Sequence, residues 1–383
     1  MVRELLHLVK KSIQALMGET AAAEVTFMLK NRRSRLTPFF DDNALDAILY
    51  TDMNNIRYLS GFTGTEAALL VARDRLWFLC DSRYTEQARE EVVDAEVVEC
   101  GAARIDAIAD IARVQGLVRI GFEASHLTVA VYRRMAEKLS GVEFVELGGE
   151  LDGIRTAKDS AEIEQLAAVA ELSSQAFLAT IHLIRPGVME VDIAMALELE
   201  MRRRGADGKA FDFIVASGER GAMPHGRASE KIIQAGEMIT IDFGAAKNGY
   251  HSDETVTVAC GEPGDRAREI YGIVKMAHDR AIAAVKPGIS CKDLDYVARS
   301  YIGEAGYGDY FGHGLGHGVG LEIHEQPTLS PRSTALLGEG SVITIEPGIY
   351  LPGFGGVRIE DTVVVTADGC RLLTKVEKEL RIL

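Results

Sequence analysis

An α+β fold built from a duplicated module, preceded by a smaller α/β domain, follows from three observations. The first is the stretch Met238–Thr257, MITIDFGAAKNGYHSDETVT, in which two strand-like runs, each with a carboxylate, flank a Gly/Asn turn. A second copy runs through Val342–Glu346 (VITIE) and Val357–Val365 (VRIEDTVVV). Asp242 matches Glu346 at an offset of 104, while Asp253 matches Glu360 and Thr255 matches Thr362 at 107. The second is a helix–turn–helix pattern ahead of each copy. Glu162–Ile184, Arg185-Pro186-Gly187 and a helix from Asp192 to Gly205 are echoed by Arg268–Val285, Lys286-Pro287-Gly288 and Asp293 to Gly306, with prolines, aspartates and glycines all at an offset of 101. Each Asp is expected to cap a helix start and each Gly to end one. The third is an alternation of short strands and helices from about residue 29 to 150, the pattern of an α/β domain.

The 383 residues favour two domains over one core. Six strands are expected in the front domain, at Leu45–Tyr50, Ala67–Ala72, Leu76–Cys80, Ala95–Glu99, Val118–Phe122 and Glu143–Leu147, with helices at Tyr84–Val92, Arg104–Val114 and Val129–Leu139. Asn54–Gly64 reads as a turn packing its own Tyr58 and Phe62, with a substrate-facing loop as the alternative. Gly148–Lys158 is rich in glycine and charge and marks the boundary. The division expected is an N-terminal extension at 1–28, the α/β domain at 29–150 and the duplicated domain at 151–383. Within the extension, Leu5, Leu6, Val9, Ile13, Leu16 and Met17 fall at helical spacing, and Met28 is an equally good start.

A net charge of −15 argues against a nucleic-acid partner, whose phosphates would be repelled. Arg202–Arg204 reads as a solvated helix end. No uninterrupted apolar run approaches the roughly 18 residues that span a bilayer. Five scattered cysteines without a CxxC pair argue against a disulfide framework and a thiolate zinc site, and fit a reducing cytoplasm.

Strands that carry acids where apolar residues belong need a compensating charge. If symmetry relates the two hairpins, Asp242, Asp253, Glu346 and Glu360 converge, and four desolvated carboxylates must take up protons or bind cations. Two divalent ions would neutralise them, and paired metals roughly 3.5–4 Å apart are an established catalytic arrangement. The histidines point the same way. In Phe311–Glu325, FGHGLGHGVGLEIHE, glycine takes every second position from Gly312 to Gly320, which suits extended backbone in close contact with a neighbour. His313 and His317 then share a face, His324 follows, and His225 is its counterpart at an offset of 99. His7, His126, His182, His251 and His278 lack such a context and are read as structural. One histidine with four carboxylates is an oxygen-rich set suited to Mn²⁺, Co²⁺ or Fe²⁺ as much as Zn²⁺. Its expected use is to hold a bridging water and lower its pKa for hydrolysis.

Through IDFGAAKNGYHSD, HGLGHGVGLEIHE, ITIEPGIY and GGVRIEDT, residues 155–383 resemble the pita-bread metallopeptidases, the family of aminopeptidase P, prolidase, creatinase and methionine aminopeptidase. The resemblance implies a pita-bread catalytic domain and two divalent metals, Mn²⁺ first among them, with Asp242, Asp253, His317, Glu346 and Glu360 as ligands. It further implies His225 and His324 as stabilisers of the tetrahedral intermediate, His313 and Arg358 on the substrate side, and Glu346 as proton shuttle. Val256 stands where the family often has a basic residue between two threonines. NNIRYLSGFTGTEAALLV with LCDSRYTEQA is similar to the front domain of bacterial Xaa-Pro peptidases. The implied activity is an Xaa-Pro aminopeptidase acting on peptides with proline second, as a homodimer. An Xaa-Pro dipeptidase is the alternative, followed by a creatinase-type C–N hydrolase and by a non-catalytic binding protein. The last would be marked by a lost ligand, and none is missing.

Overall fold

The computed structural model describes residues 23–383, so the helix expected between Leu5 and Met17 lies outside the described residues. Two compact units result, one ending at Ile154 and the other running Arg155–Leu383, and the division falls inside the Gly148–Lys158 stretch.

In the first unit six strands form one sheet: β1 (Ala47–Tyr50), β2 (Ala68–Ala72), β3 (Leu76–Cys80), β4 (Glu96–Glu99), β5 (Arg119–Glu123) and β6 (Glu143–Leu147). Their spatial order is β4-β3-β2-β1-β5-β6. β1 and β2 pair antiparallel, as do β2 and β3, and the remaining pairs are parallel. Near-continuous apolar runs make the central strands, buried along their length, and helices Arg104–Gln115 and Val129–Lys138 supply Ile108, Ala112 and Met135 to the core over them. One expectation is corrected. Asn54–Gly64 is largely not a turn, because Met53–Ser60 is a helix. Asp52 caps its start by accepting the Asn54 N–H at 3.1 Å, and Gly61 ends it at φ 84°. Tyr58 and Phe62 are buried as expected, the former donating its hydroxyl to the Ile154 carbonyl at 3.1 Å.

The second unit repeats one plan twice. Helices Ser160–Thr180 and Glu190–Arg203 open the first copy, and Asp265–Ala284 and Cys291–Glu304 open the second. The predicted terminators Gly205 and Gly306 take φ 93° and 87°, and Gly187 and Gly288 take 92° and 82°, conformations that cost glycine least. The expected caps shift by three residues. Asp192 and Asp293 sit in the first helical turn, while Met189 and Ser290 occupy the cap positions, and Ser290 Oγ accepts the Asp293 N–H at 3.0 Å.

Strands β7 (Gly208–Lys209), β8 (Ile214–Ser217), β9 (Glu237–Phe243), β10 (Ala245–Lys247), β11 (Tyr250–His251) and β12 (Glu254–Cys260) belong to the first copy. The second holds β13 (Gly316–Gly318), β14 (Glu325–Leu329), β15 (Val342–Ile345), β16 (Gly348–Leu351), β17 (Gly355–Arg358), β18 (Asp361–Val365) and β19 (Cys370–Leu372). The order β12-β9-β8 in one sheet is matched by β18-β15-β13 in the other. VRIEDTVVV, expected as one strand, breaks at Ile359-Glu360 because the Glu360 N–H leaves its own sheet for the Thr255 carbonyl, at 3.1 Å.

One helical stretch among the described residues, Ser160–Leu183, is long and apolar enough to cross a membrane by length and composition. Glu162, Glu164 and Glu171 interrupt it, so it is not an unbroken apolar run. Half of its most apolar window is buried, and Phe177 stacks on Phe243 at 5.0 Å, as a core helix does.

Candidate metal centre

The two hairpins meet through threonine hydroxyls. Thr255 donates to Glu360 Oε2 at 2.6 Å, and its repeat partner Thr362 donates to the Asp253 carbonyl at 2.7 Å, so each copy holds the acid-bearing turn of the other. Thr257 adds a bond to the Arg358 carbonyl at 2.7 Å. In the β9/β12 register Thr255 lies opposite Asp242 and Thr257 opposite Thr240, which puts these four on one face. Val256 lies opposite Ile241 on the other face and is buried.

Asp242, Asp253, Glu346 and Glu360 all line one cleft of about 500 Å³, together with His225, His313, His317, His324 and Arg358. The structure thus gathers all nine residues singled out in the sequence. Asp253, His317 and Glu360 each offer a ligand atom within 4.8 Å of the others. His317 sits in β13, where glycines let the strands close up. A methyl group at Gly316 would collide with the Thr344 carbonyl, and one at Gly318 with that of Gln326.

The site is symmetric in its carboxylates and asymmetric in its histidine. Ile214 pairs with Asp242, and the Glu346 N–H bonds the Leu315 carbonyl, so β8 and β13 correspond at an offset of 101. The counterpart of His317 is therefore Ala216. That leaves one imidazole among four acids.

Electrostatics test whether a cation fits. Burial, then the neighbouring carboxylates, push Asp253 and Glu360 far above the usual carboxylate range, and burial together with Asp242 pushes Glu346 up to about 8. Burial drives His317 down to about 4, so its ring is neutral. Its Nδ1 meets the Gly318 carbonyl at 3.0 Å and is assigned the proton, which leaves a lone pair on Nε2. That lone pair faces Asp253 at 3.6 Å and Glu346 at 3.5 Å. Asp242 Oδ1 is buried without a donor. Buried acids that can escape mutual repulsion only by taking up protons or a cation, beside a neutral imidazole with a free lone pair, are the donor set of a divalent cation.

Arg358, itself buried, organises the opposite wall. It donates to Asp242 Oδ2 at 2.6 Å, the Tyr350 hydroxyl at 2.9 Å, the Pro224 carbonyl at 3.1 Å and Thr255 Oγ1 at 3.2 Å. Tyr350 passes the chain on to His313 Nε2 at 2.8 Å, and His313 Nδ1 meets the Gly314 carbonyl at 2.8 Å. Both ring nitrogens of His313 are thus engaged within the protein. His225 and His324 are exposed on the cleft, the His324 ring lying 4.5 Å from that of His317.

Two features had no reading in the sequence. Tyr350 is one; its ITIEPGIY context was visible, but its partners come from distant segments. Lys378 is the other. Buried near the C-terminus, it donates to Glu254 at 2.5 Å and lies 3.3 Å from Asp361, the residues that follow Asp253 and Glu360. Its charge offsets two acids directly behind the cleft. Of the histidines read as structural, His278 is buried with Nε2 3.2 Å from Asp361.

A repeated pair of helices over strands, with acids from both copies and one neutral imidazole closing on a cleft, defines a metal-dependent hydrolase of the pita-bread fold. Residues 164–367 match the profile of metallopeptidase family M24, and residues 32–157 match that of the creatinase/prolidase N-terminal domain. The chain belongs to metallopeptidase family M24. It is 44% identical to a solved Xaa-Pro dipeptidase from Bacillus anthracis, over 93% of this chain and 100% of that one, with a TM-score of 0.91. A solved X-Pro aminopeptidase from Thermotoga maritima is 41% identical over 89% of this chain and 98% of that one, at a TM-score of 0.84. The Xaa-Pro dipeptidase of Pyrococcus furiosus is 40% identical over 92% of this chain and its own full length.

Proposed function

We propose that this metallopeptidase is an Xaa-Pro dipeptidase, a prolidase, that holds two divalent metal ions, Mn²⁺ first among the alternatives. The observation that carries the reading is the convergence of Asp242, Asp253, Glu346 and Glu360 with His317 in a cleft sized for a small peptide. The relatives support the dipeptidase over the aminopeptidase expected from the sequence. Two of those named above are dipeptidases, including the one with the higher TM-score. The Thermotoga neighbour keeps the aminopeptidase as the second reading.

The five acidic and imidazole side chains would hold the metals, which when bound supply the positive charge that makes water acidic enough to attack near neutral pH. The chain's own groups do the rest. Glu346, more exposed at its side chain than Asp242 or Asp253 and than the buried Glu360, would be ionised with the cations in place. It then accepts the proton of the attacking water at its carboxylate and returns it to the proline nitrogen as the C–N bond breaks. That nitrogen carries no hydrogen before cleavage, so the site needs no acceptor for it. His225 and His324 donate to the oxygen that gains charge as the carbonyl carbon becomes tetrahedral. Arg358 and Tyr350 hold the Asp242 wall in place.

The test is an assay of metal-loaded protein on alanyl-proline against alanyl-prolyl-alanine. Turnover of the dipeptide is expected. Turnover of the tripeptide alone would restore the aminopeptidase, and turnover of neither would overturn both.

A further inference from the structure

One buried carboxylate ties down both ends of the segment that carries His225. Glu190, the first residue of helix Glu190–Arg203, has no exposed surface. Its Oε1 accepts from the N–H and the hydroxyl of Ser217, each at 2.8 Å. Its Oε2 accepts from the Ser229 hydroxyl at 2.7 Å, the Ser229 N–H at 3.3 Å and the Arg220 guanidinium. Arg220 in turn donates to the Arg227 carbonyl at 2.7 Å. Between the two serines lie Pro224, whose carbonyl accepts from Arg358, and His225, which lines the cleft.

We infer that Glu190 is a positioning residue for His225, fixing the 217–229 segment so that the imidazole stands over the cleft. The inference rests on the hydrolytic reading of that cleft and names a residue outside it. A carboxylate serving only the start of its own helix would bond that helix's N–H groups. Glu190 instead spends both oxygens on Ser217, Arg220 and Ser229. A second clamp in the other copy follows the same logic. Asp295 holds Arg299 at 2.7 and 2.8 Å and accepts the Leu315 N–H at 3.0 Å, while Arg299 donates to the carbonyls of Phe311 at 2.8 Å and His313 at 2.6 Å. In each copy the second helix pins a segment bearing a cleft histidine.

The test is Glu190→Gln, alone and combined with His225→Ala, read by kinetics, metal content and amide hydrogen exchange. The single variant is expected to lose about tenfold to a hundredfold in kcat, the scale of a misplacement near 1 Å, with metal content retained and exchange faster within 218–228. In the His225→Ala background it should add no further loss, since residues acting as a unit are non-additive. An equal penalty in both backgrounds, or unchanged exchange and kcat in the single variant, would overturn the inference. Should Glu190→Gln not fold, Ser229→Ala removes one bond of the same hub. A smaller loss that vanishes in the His225→Ala background supports the inference, and an additive one overturns it. If the wild-type protein turns over no Xaa-Pro peptide, the functional reading fails, while hydrogen exchange still tests the anchor.

Discussion

His317 Nε2 and Asp253 Oδ2 stand 3.6 Å apart, the lone pair of a neutral imidazole facing a buried carboxyl group. The imidazole proton is committed to Gly318 on the far side of the ring, and burial keeps the ring neutral. A cation between them would be held by both, taking the place of the proton that burial and the neighbouring acids keep on Asp253. His317→Ala and Asp253→Ala should each lower metal content, measured by elemental analysis of dialysed protein, and reduce turnover by about a hundredfold or more. Wild-type metal content in both would contradict the ligand assignment.

The pH dependence of the metal-free protein follows from the acids. Glu346 has a folded pKa of about 8 against 4.5 for the free group, so the fold favours its neutral form. Its contribution to stability is complete below pH 4.5 and is lost as pH rises through about 8. Asp253 and Glu360 shift in the same direction. The Tm of chelated protein should fall across this window, and added Mn²⁺ should remove most of the fall. A rising Tm in the chelated protein would contradict the convergence of the acids.

Tyr350→Phe should slow catalysis with little change in metal content. The variant removes the hydroxyl linking His313 to Arg358 and leaves buried groups short of a partner, at a cost of about 1–3 kcal/mol. Thermal unfolding and steady-state kinetics check this. Wild-type kcat would show that Asp242 and Arg358 are held without it.

Where the sequence repeats itself, it could be read. Asp242 and Glu346, or Gly205 and Gly306, recur at fixed offsets, so each copy corroborates the other. The front-domain strands were legible because buried strands between helices read as short apolar runs. What could not be read depended on contacts between distant segments. The break at Ile359-Glu360 follows from a backbone bond to Thr255, in the other hairpin. Tyr350 and Glu190 acquire their partners only once the segments are packed, and neither sits in a repeated position. The helix at Met53–Ser60 was hidden by Asn, Arg and Ser within it, although Asp52 and Gly61 mark its two ends.

Replacing Lys378 tests the buried charge behind the cleft. Lys378→Met should destabilise the fold by about 3–5 kcal/mol, because Glu254 and Asp361 are left without their shared cation. Chemical denaturation checks the figure. A variant as stable as wild type would mean that His278 and Thr374 suffice for Asp361, and Ser174 for Glu254.

Anomalous diffraction from crystals grown with Mn²⁺ tests most directly whether acids from both copies hold metal together. Two peaks are expected in the cleft, one or both within about 2.0–2.2 Å of oxygens from each hairpin and one beside His317 Nε2. Peaks bound by a single hairpin, or none within reach of Asp253 and Glu360, would contradict it.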